Sequence, residues 1–487
     1  MDAVRLRQAM VAGLRERQEI ADDVADALLA VPRHLFLPGV DPRTAYRDVP
    51  IVTRRDEHGL PVSSSSQPSV MATMLGQLGV EPGHRVLEIG AGTGYNAALL
   101  ARLAGPEGRV VSLDLDAGVV RDARRNLAVA GFPQVEVVCA DGVEGFAAAA
   151  PYDRVIATVG VWDLAPAWLD QLAPGGRLVV PLDLRGVQVS VALERTGGHW
   201  AGRTVAPCGF MRLRGPSAGP ESVVVLRRDP DLWLALPVAR ELGDLVTALE
   251  TAPTNVAVTS PDPLPQPPPT ADPTAGRDPL TTTIPPAGRD PLAEAGTPAG
   301  RDPLAEAGTP AGRDPLAEAG ADVALWLALH EPRWCMLGGN RYGGYGGTFG
   351  LTDGSAIAVL ASSASQASGP SGRNPDASGP SVRNADAADP AAAAGGPGRA
   401  ELVAEGYGPG GTALAEELAA HVRAWAAAGR PRTTDLRLTA YRNPAPESAA
   451  PEGLAFDRPV AEGRAVRGPG REFVIVKRHT TLVLGFG

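Results

Sequence analysis

The chain has 487 residues, 44% of them hydrophobic, and a net charge of −10 from 55 acidic against 45 basic side chains. That length accommodates two or three domains with sizeable cores, and the acidic balance argues against a general nucleic-acid binder, which would carry a basic field. Cys139, Cys208 and Cys335 are far apart, and the seven histidines form no H-E-x-x-H pattern, so neither a disulfide framework nor a metal site is expected. The N-terminus lacks an apolar signal core and no apolar run reaches membrane length, so no membrane partner is expected and the cytoplasm is the expected location.

In chain order, residues 1–30 have the periodicity of an amphipathic helix through Val4, Met10, Leu14, Ile20, Val24 and Leu28, broken by Val31-Pro32-Arg33-His34-Leu35-Phe36-Leu37-Pro38. Residues 40–67 read as an irregular, polar connection. An alternating unit then runs from about 83 to 195. Its first strand ends in Val86-Leu87-Glu88-Ile89 and leads through Gly90-Ala91-Gly92-Thr93-Gly94 into a helix containing Ala97 to Ala101. Further strands are expected over 108–114, 135–142, 151–158 and 172–181, with helical segments between them. This alternation predicts an α/β fold, a Rossmann-like parallel sheet with helices on both faces, whose strand carboxyl ends carry the ligand site. Arg203 to about Gly219 closes the unit and sets a first domain at 1–220.

Core character returns over 221–254, 321–362 and 400–487, which together read as one C-terminal α+β domain. Two low-complexity tracts interrupt it. Residues 255–320 carry a twelve-residue repeat starting at 287 and 299, and residues 363–399 a ten-residue near-repeat. Neither has enough large apolar side chains to offset the entropy of ordering, so both are expected to be disordered insertions. Phe473 to Phe486, broken by Lys477-Arg478-His479, reads as two strands. Gly338 to Gly347 reads as a binding loop or a mobile hairpin.

Three glycines at alternate positions let the backbone approach a bulky ligand closely. The dinucleotide fingerprint G-x-G-x-x-G would need glycine where Tyr95 stands. With Glu88 before it, the G-x-G-x-G spacing instead resembles motif I of the class I methyltransferases, which implies S-adenosyl-L-methionine as cofactor. Asp114 follows the glycines at the spacing where a carboxylate meets a ribose hydroxyl, about 20 residues. Asp141 with Gly142, at the end of the third strand, would face the adenine. The candidate cofactor residues are therefore Glu88, Gly90, Gly92, Gly94, Asp114, Asp141 and Gly142. Each acid taken alone is equally a solvated strand end or a helix cap; their order points to a site.

Three further segments narrow the resemblance. Val31 to Pro38, then Ala45-Tyr46-Arg47-Asp48, then Ser63-Ser64-Ser65-Ser66-Gln67-Pro68-Ser69-Val70-Met71-Ala72 resemble the protein-L-isoaspartate O-methyltransferase family. That family carries Thr-Ile-Ser-x-Pro-His upstream of motif I, its serine beside the substrate carboxylate. Ser66 matches that serine, Ser64 stands for the threonine and Ser69 for the histidine. The resemblance covers about residues 1–215, and the chain continues well beyond the length usual for the repair enzyme. The serine run, the stretch Cys208 to Gly215 and the extension are similar to an actinobacterial subgroup associated with ribosomally made peptides, including lanthipeptides. That similarity implies methylation of an aspartate in a modified precursor peptide, the ester collapsing to a succinimide and on to isoaspartate.

A side-chain carboxylate is already ionised at neutral pH, with a reference pKa of about 4, and needs no general base. The absence of an obvious catalytic histidine or cysteine therefore fits methyl transfer, which needs placement and exclusion of water. Ser66 is the catalytic candidate, aiming the carboxylate; Ser64, Ser65 and Ser69 are candidates for the same pocket, or caps of the helix that follows. Arg54-Arg55, Arg212 and Arg214 either attract an anionic peptide or form solvated surface. Three functions remain: tailoring of a precursor peptide, repair of isoaspartyl proteins, and a non-catalytic cofactor-binding scaffold.

Overall fold

The computed structural model describes residues 2–55, 61–215, 218–220, 223–227, 232–237, 239–258, 315–339, 344–362, 402–443, 465–467 and 472–486. The chain opens with α1 (Ala3–Arg17) and α2 (Asp22–Ala30) in place of the single helix expected over 1–30. Gln18 takes extended backbone (φ −152°, ψ 156°), and Asp22 and Asp23 begin a new helix where its dipole favours negative charge. Instead of an irregular connection over 40–67 there is a short helix α3 (Pro42–Ala45) and an antiparallel hairpin, β1 (Ile51–Arg55) with β2 (Pro61–Ser65). Strands of five residues, one of them mostly serine, leave little alternation to read.

The unit expected from about 83 follows as α4 (Pro68–Leu78), β3 (Arg85–Ile89), α5 (Tyr95–Ala104), β4 (Arg109–Asp114), α6 (Ala117–Val129), β5 (Glu136–Cys139), β6 (Tyr152–Ala157), α7 (Pro166–Asp170), β7 (Leu172–Leu184), β8 (Val187–Thr196) and β9 (His199–Pro207). Strands β5-β4-β3-β6-β7 are parallel, and β8 and β9 continue the sheet antiparallel. This is the Rossmann-like sheet expected from the alternation of strands and helices. Its parallel strands are apolar because both faces are covered. Leu14, Leu28, Leu75 and Leu99 pack with Val86 and Ile156 on one face, and Tyr152 and Trp168 with Leu87 and Val155 on the other. Cys139 is exposed at the end of the edge strand β5.

A second sheet is built from β10 (Val223–Arg227), β11 (Leu232–Ala235), β12 (Thr254–Ala257), β13 (Trp334–Gly339), β14 (Gly344–Thr352), β15 (Ile357–Ser362) and β16 (Leu402–Tyr407), with α8 (Leu245–Glu250), α9 (Pro315–His330) and a helix over Gly411–Ala427. The order is β10-β11-β13-β14-β15-β16-β12, antiparallel throughout. The last strands do not belong to it. β17 (Leu436–Arg442), β18 (Ala465–Arg467), β19 (Phe473–Val476) and β20 (Thr480–Phe486) join the first sheet through Thr439 and Ala440 of β17 opposite Ala201 and Trp200 of β9. The grouping of all of 400–487 with the C-terminal domain is thus corrected. β9 would otherwise be an edge with unpaired backbone groups, and β17 covers it.

Most of the tract 255–320 and all of 363–399, expected as disordered insertions, lie outside the described residues; at its two ends the first tract contributes β12 and α9. Gly338 and Gly347 lie on the paired strands β13 and β14, and 340–343 lie outside the described residues. Helix α9 is apolar on two faces, as a helix between two layers must be. Leu325 and Leu329 join the core of the first sheet, while Val323, Leu327 and Ala328 join that of the second. Among the described residues no helix is long and apolar enough to cross a membrane.

Candidate active site

Strand β3 delivers Glu88 and Ile89 to the glycine turn at the carboxyl end of the sheet. Gly90 has φ 100°, and a Cβ there would lie 2.9 Å from Thr158 Oγ1. Only glycine meets both demands. Thr158, at the end of β6, closes the turn from below by donating to the Gly90 carbonyl at 2.7 Å. Gly94 serves packing instead: it caps α5 at φ 86°, and a Cβ would press on Leu127 and on the Ala123 carbonyl of α6.

The acids occupy the ends of successive strands. Asp114 accepts from the Gly92 amide at 3.2 Å and the Asp116 amide at 3.1 Å, which fixes its carboxylate beside the turn. Asp141 accepts from Val143 N at 3.0 Å. Gly142 lies against Ile89, whose Cγ2 would be 2.5 Å from an added Cβ. Glu88 is fully buried and spends both oxygens internally, on Asn96 Nδ2 at 2.8 Å and Ser112 Oγ at 2.5 Å. Burial pushes its carboxyl up to about 7, and these two hydrogen bonds oppose the shift.

The serine segment closes the site from the other side. Ser63 and Ser65 are buried and Ser64 and Ser66 half-buried, the alternation of a strand continued into its turn. The carbonyl of Ser64 lies 3.4 Å from the place a Cβ on Gly92 would take, so the segment rests on the glycine turn. Its anchor is Arg33, a fully buried residue with no local sequence signal to single it out. Arg33 donates to Ala45 O and Ser66 O, each at 2.9 Å, and to Ser65 O at 3.5 Å, with its guanidinium 5.1 Å from the Tyr95 ring centroid.

One cavity of about 1000 Å³ brings these parts together. Ser64, Ser65, Ser66, Glu88, Gly90, Gly92, Asp114, Asp141 and Gly142 all line it; Gly94 and Ser69 do not. Ser69 lies in the first turn of α4, its amide on Asp48 Oδ1 at 2.9 Å and its carbonyl accepting from Gln18, so it serves the helix end. Arg54 ties the hairpin to α6 through Asp116 and Asp122 rather than awaiting a peptide. Arg212 and Arg214 do line the cavity, Arg212 standing 3.9 Å from Asp183. Among the described residues no group of three or more His, Cys, Asp or Glu could hold a metal ion.

The far wall comes from the second sheet: Ala321 and Ala324 of α9, Trp334 and Met336 of β13, and Phe349 of β14. Its fixed point is the tight turn between β7 and β8. Arg185 (φ 62°) and Gly186 (φ 94°) form a two-residue turn with both φ positive, the geometry that suits strand twist. Trp334 Nε1 donates to Arg185 O at 2.9 Å, and the Arg185 guanidinium donates to Ala328 O at 2.8 Å.

Comparison with known proteins accounts for the first sheet. Residues 5–217 match the family model of protein-L-isoaspartate(D-aspartate) O-methyltransferase. A protein-L-isoaspartate O-methyltransferase of Methanopyrus kandleri is 37% identical over 214 residues, 43% of this chain and 92% of the relative. That of Methanoregula boonei is 39% identical over 203 residues, 42% of this chain and 87% of the relative. A solved protein-L-isoaspartate O-methyltransferase superposes at a TM-score of 0.42 with 21% identity, over 89% of this chain and 96% of its own. With relatives of this identity covered almost end to end, the chain belongs to the protein-L-isoaspartate O-methyltransferase family of S-adenosyl-L-methionine-dependent carboxyl methyltransferases.

Proposed function

We propose that the chain esterifies the isoaspartyl carboxylate of a peptide or protein with a methyl group from S-adenosyl-L-methionine. The observation that carries this reading is the seating of the serine segment on the glycine turn, so that a donor hollow and a carboxylate-aiming segment share one cavity. The residues fit the cofactor. Beside Asp114 and within the cavity, Leu115 is 50% exposed, an apolar surface suited to a flat heterocyclic base.

In this reading Asp114 would accept hydrogen bonds from the ribose hydroxyls, Asp141 and Gly142 would take the adenine, and Gly90 and Gly92 would admit the methionine arm. Glu88 braces the turn from within. Bound there, the cofactor supplies an electrophilic methyl carbon. The substrate carboxylate is ionised at neutral pH, so the protein's contribution is orientation, worth roughly 7–11 kcal/mol in the best cases. Ser66 donates a hydrogen bond to one carboxylate oxygen and turns the other toward the donor. Ser64 and Ser65 line the same side, and Arg33 holds the segment without touching substrate.

A second reading is favoured by the wall from the second sheet, which lies beyond the residues matched by the family. It is methylation of an aspartate in a ribosomally made, lanthipeptide-like precursor. The next residue's amide nitrogen then attacks the ester carbonyl, the C–N bond forms, the C–O bond to methoxide breaks, and methanol leaves with the amide proton. The succinimide hydrolyses to isoaspartate.

The test is full-length protein with methyl-labelled S-adenosyl-L-methionine and paired peptides, isoaspartyl and aspartyl, each linear and ring-closed, followed by tandem mass spectrometry. Ester on the isoaspartyl peptide supports the first reading. Ester followed by loss of methanol at an ordinary aspartate supports the second. Cofactor binding without transfer to any carboxylate, or stable label on nitrogen, overturns both.

A further inference from the structure

We infer that Met336 and Phe349 form a subsite for a large apolar side chain flanking the carboxylate to be methylated, and so set the peptide specificity of the enzyme. The inference rests on the carboxyl-methylation reading above. Met336 on β13 and Phe349 on β14 are register partners, so their side chains stand together on one face of the second sheet. Both are half-buried, and both line the cavity that holds Ser64, Ser66 and Asp114.

Each side chain packs on the core of the second sheet and also faces the cavity. Ala321 and Ala324, small residues on α9, line the cavity beside them. Gly320 lets the Phe349 ring lie against α9, for a Cβ there would be 3.2 Å from Phe349 Cε2. Gly347 does the same for Met336, whose Cγ would be 2.9 Å from an added Cβ. Behind them Trp334, 1% exposed and bonded to Arg185 O, fixes the wall. The wall is therefore rigid at its base, with an adaptable thioether at its face.

Across the cavity stand the polar groups Ser64, Ser66, Asp114 and Asp141, among apolar neighbours such as Val62 and Leu115. A peptide between the two sides places its acceptor carboxylate on the serines and an apolar neighbour on Met336 and Phe349. The volume of about 1000 Å³ is at the upper end for one small ligand, roughly 300–1000 Å³, which leaves room beside a cofactor. The match to the family model ends at residue 217, before either side chain.

The experiment uses the full-length chain, S-adenosyl-L-methionine and isoaspartyl peptides in which a single leucine replaces glycine at each of the three positions on either side of the acceptor. A leucine that meets the wall is expected to raise kcat/KM at least tenfold over the all-glycine peptide, in line with roughly 10–200-fold for small apolar differences in a pocket. In the Met336→Ala/Phe349→Ala variant the leucine-to-glycine ratio is expected to fall to within about threefold of unity, while Met336→Leu retains it. Because the readout is a ratio on one preparation, partial loss of folded protein does not imitate the effect. A wild-type ratio near one at all positions, or a preference that survives the double variant, overturns the subsite and leaves the methyl-transfer reading standing. Methylation of no peptide at all overturns both.

Discussion

Replacing Arg33 by methionine tests how the serine segment is held. The fully buried guanidinium makes two bonds of 2.9 Å, to Ala45 O and Ser66 O, and a weaker one of 3.5 Å to Ser65 O. Methionine keeps much of the stem and removes every donor. Each buried carbonyl left without a partner costs about 1–3 kcal/mol, so the two short bonds together set a loss of about 3 kcal/mol after some relaxation. For a unit of this size that is a fall in Tm of roughly 6–12 °C, read by tryptophan fluorescence. Activity is expected to fall further than stability. A reacting group displaced by about 1 Å can lose on the order of 100-fold, and Ser66 is bonded to Arg33 directly. The drop should appear in kcat/KM for an isoaspartyl peptide, with cofactor affinity little changed, because Asp114 and Asp141 are held by other groups. Lysine, a point charge able to serve one carbonyl well but not two, should fall between. A methionine variant within about 0.5 kcal/mol and threefold of the parent would refute the assignment of Arg33 as the anchor.

Two buried ionisable groups give opposite pH signatures. Glu88 has its carboxyl raised to about 7 by burial, so the native state binds the proton more tightly than the unfolded chain, and stability from this group is lost as pH rises toward 7. Glu88→Gln removes that dependence, and its stability relative to wild type should improve by about 2 kcal/mol between pH 5.5 and 8; a flat difference in urea unfolding across that range would contradict it. Lys477 is buried and donates to the carbonyls of Trp162 and Asp183. Burial pulls its ammonium down to about 8, against the pull of Asp183 and Asp163. The unfolded chain then binds the extra proton, so wild type gains stability as pH rises from 8 toward the ordinary lysine value. Lys477→Met should lack about 2 kcal/mol of that gain between pH 7.5 and 9.5, and an unchanged slope would count against the shift.

The parts legible in the sequence are those fixed by local rules. Glycines at 90 and 92, an acid ending β4 and an apolar run in β3 announce a strand, a turn and a strand end, and these lie where expected. Gly94 and Ser69 fit the motif spacing but do not line the cavity, because spacing does not distinguish a glycine that admits a ligand from one that admits a helix, nor a pocket serine from one in a helix turn. Arg33 carries no local signal. An arginine between a proline and a histidine looks like surface, and only the return of three carbonyls from residues 45, 65 and 66 explains its burial. The return of β17 to β9 is likewise invisible locally, since it depends on a register between segments more than 230 residues apart.

That return decides how the second sheet relates to the site. The chain leaves the first sheet after β9, builds the second, and comes back to pair with β9 again. Helix α9 lies in both cores, and Thr433 N on Asp322 Oδ1 at 2.6 Å ties it to the approach to β17. Parting the sheets would expose Leu325 and Leu329, at roughly 1.5–3 kcal/mol each, before the Trp334 and Arg185 hydrogen bonds are counted. A loss of that size, at about 1.4 kcal/mol per tenfold, leaves at most on the order of 1% of molecules parted. The wall bearing Met336 and Phe349 is therefore present before substrate arrives, and in the proposed reading a peptide threads its acceptor between the serine segment and an apolar face whose base is fixed. Selectivity in such a site comes from what fits the gap, with little contribution from closure around the ligand.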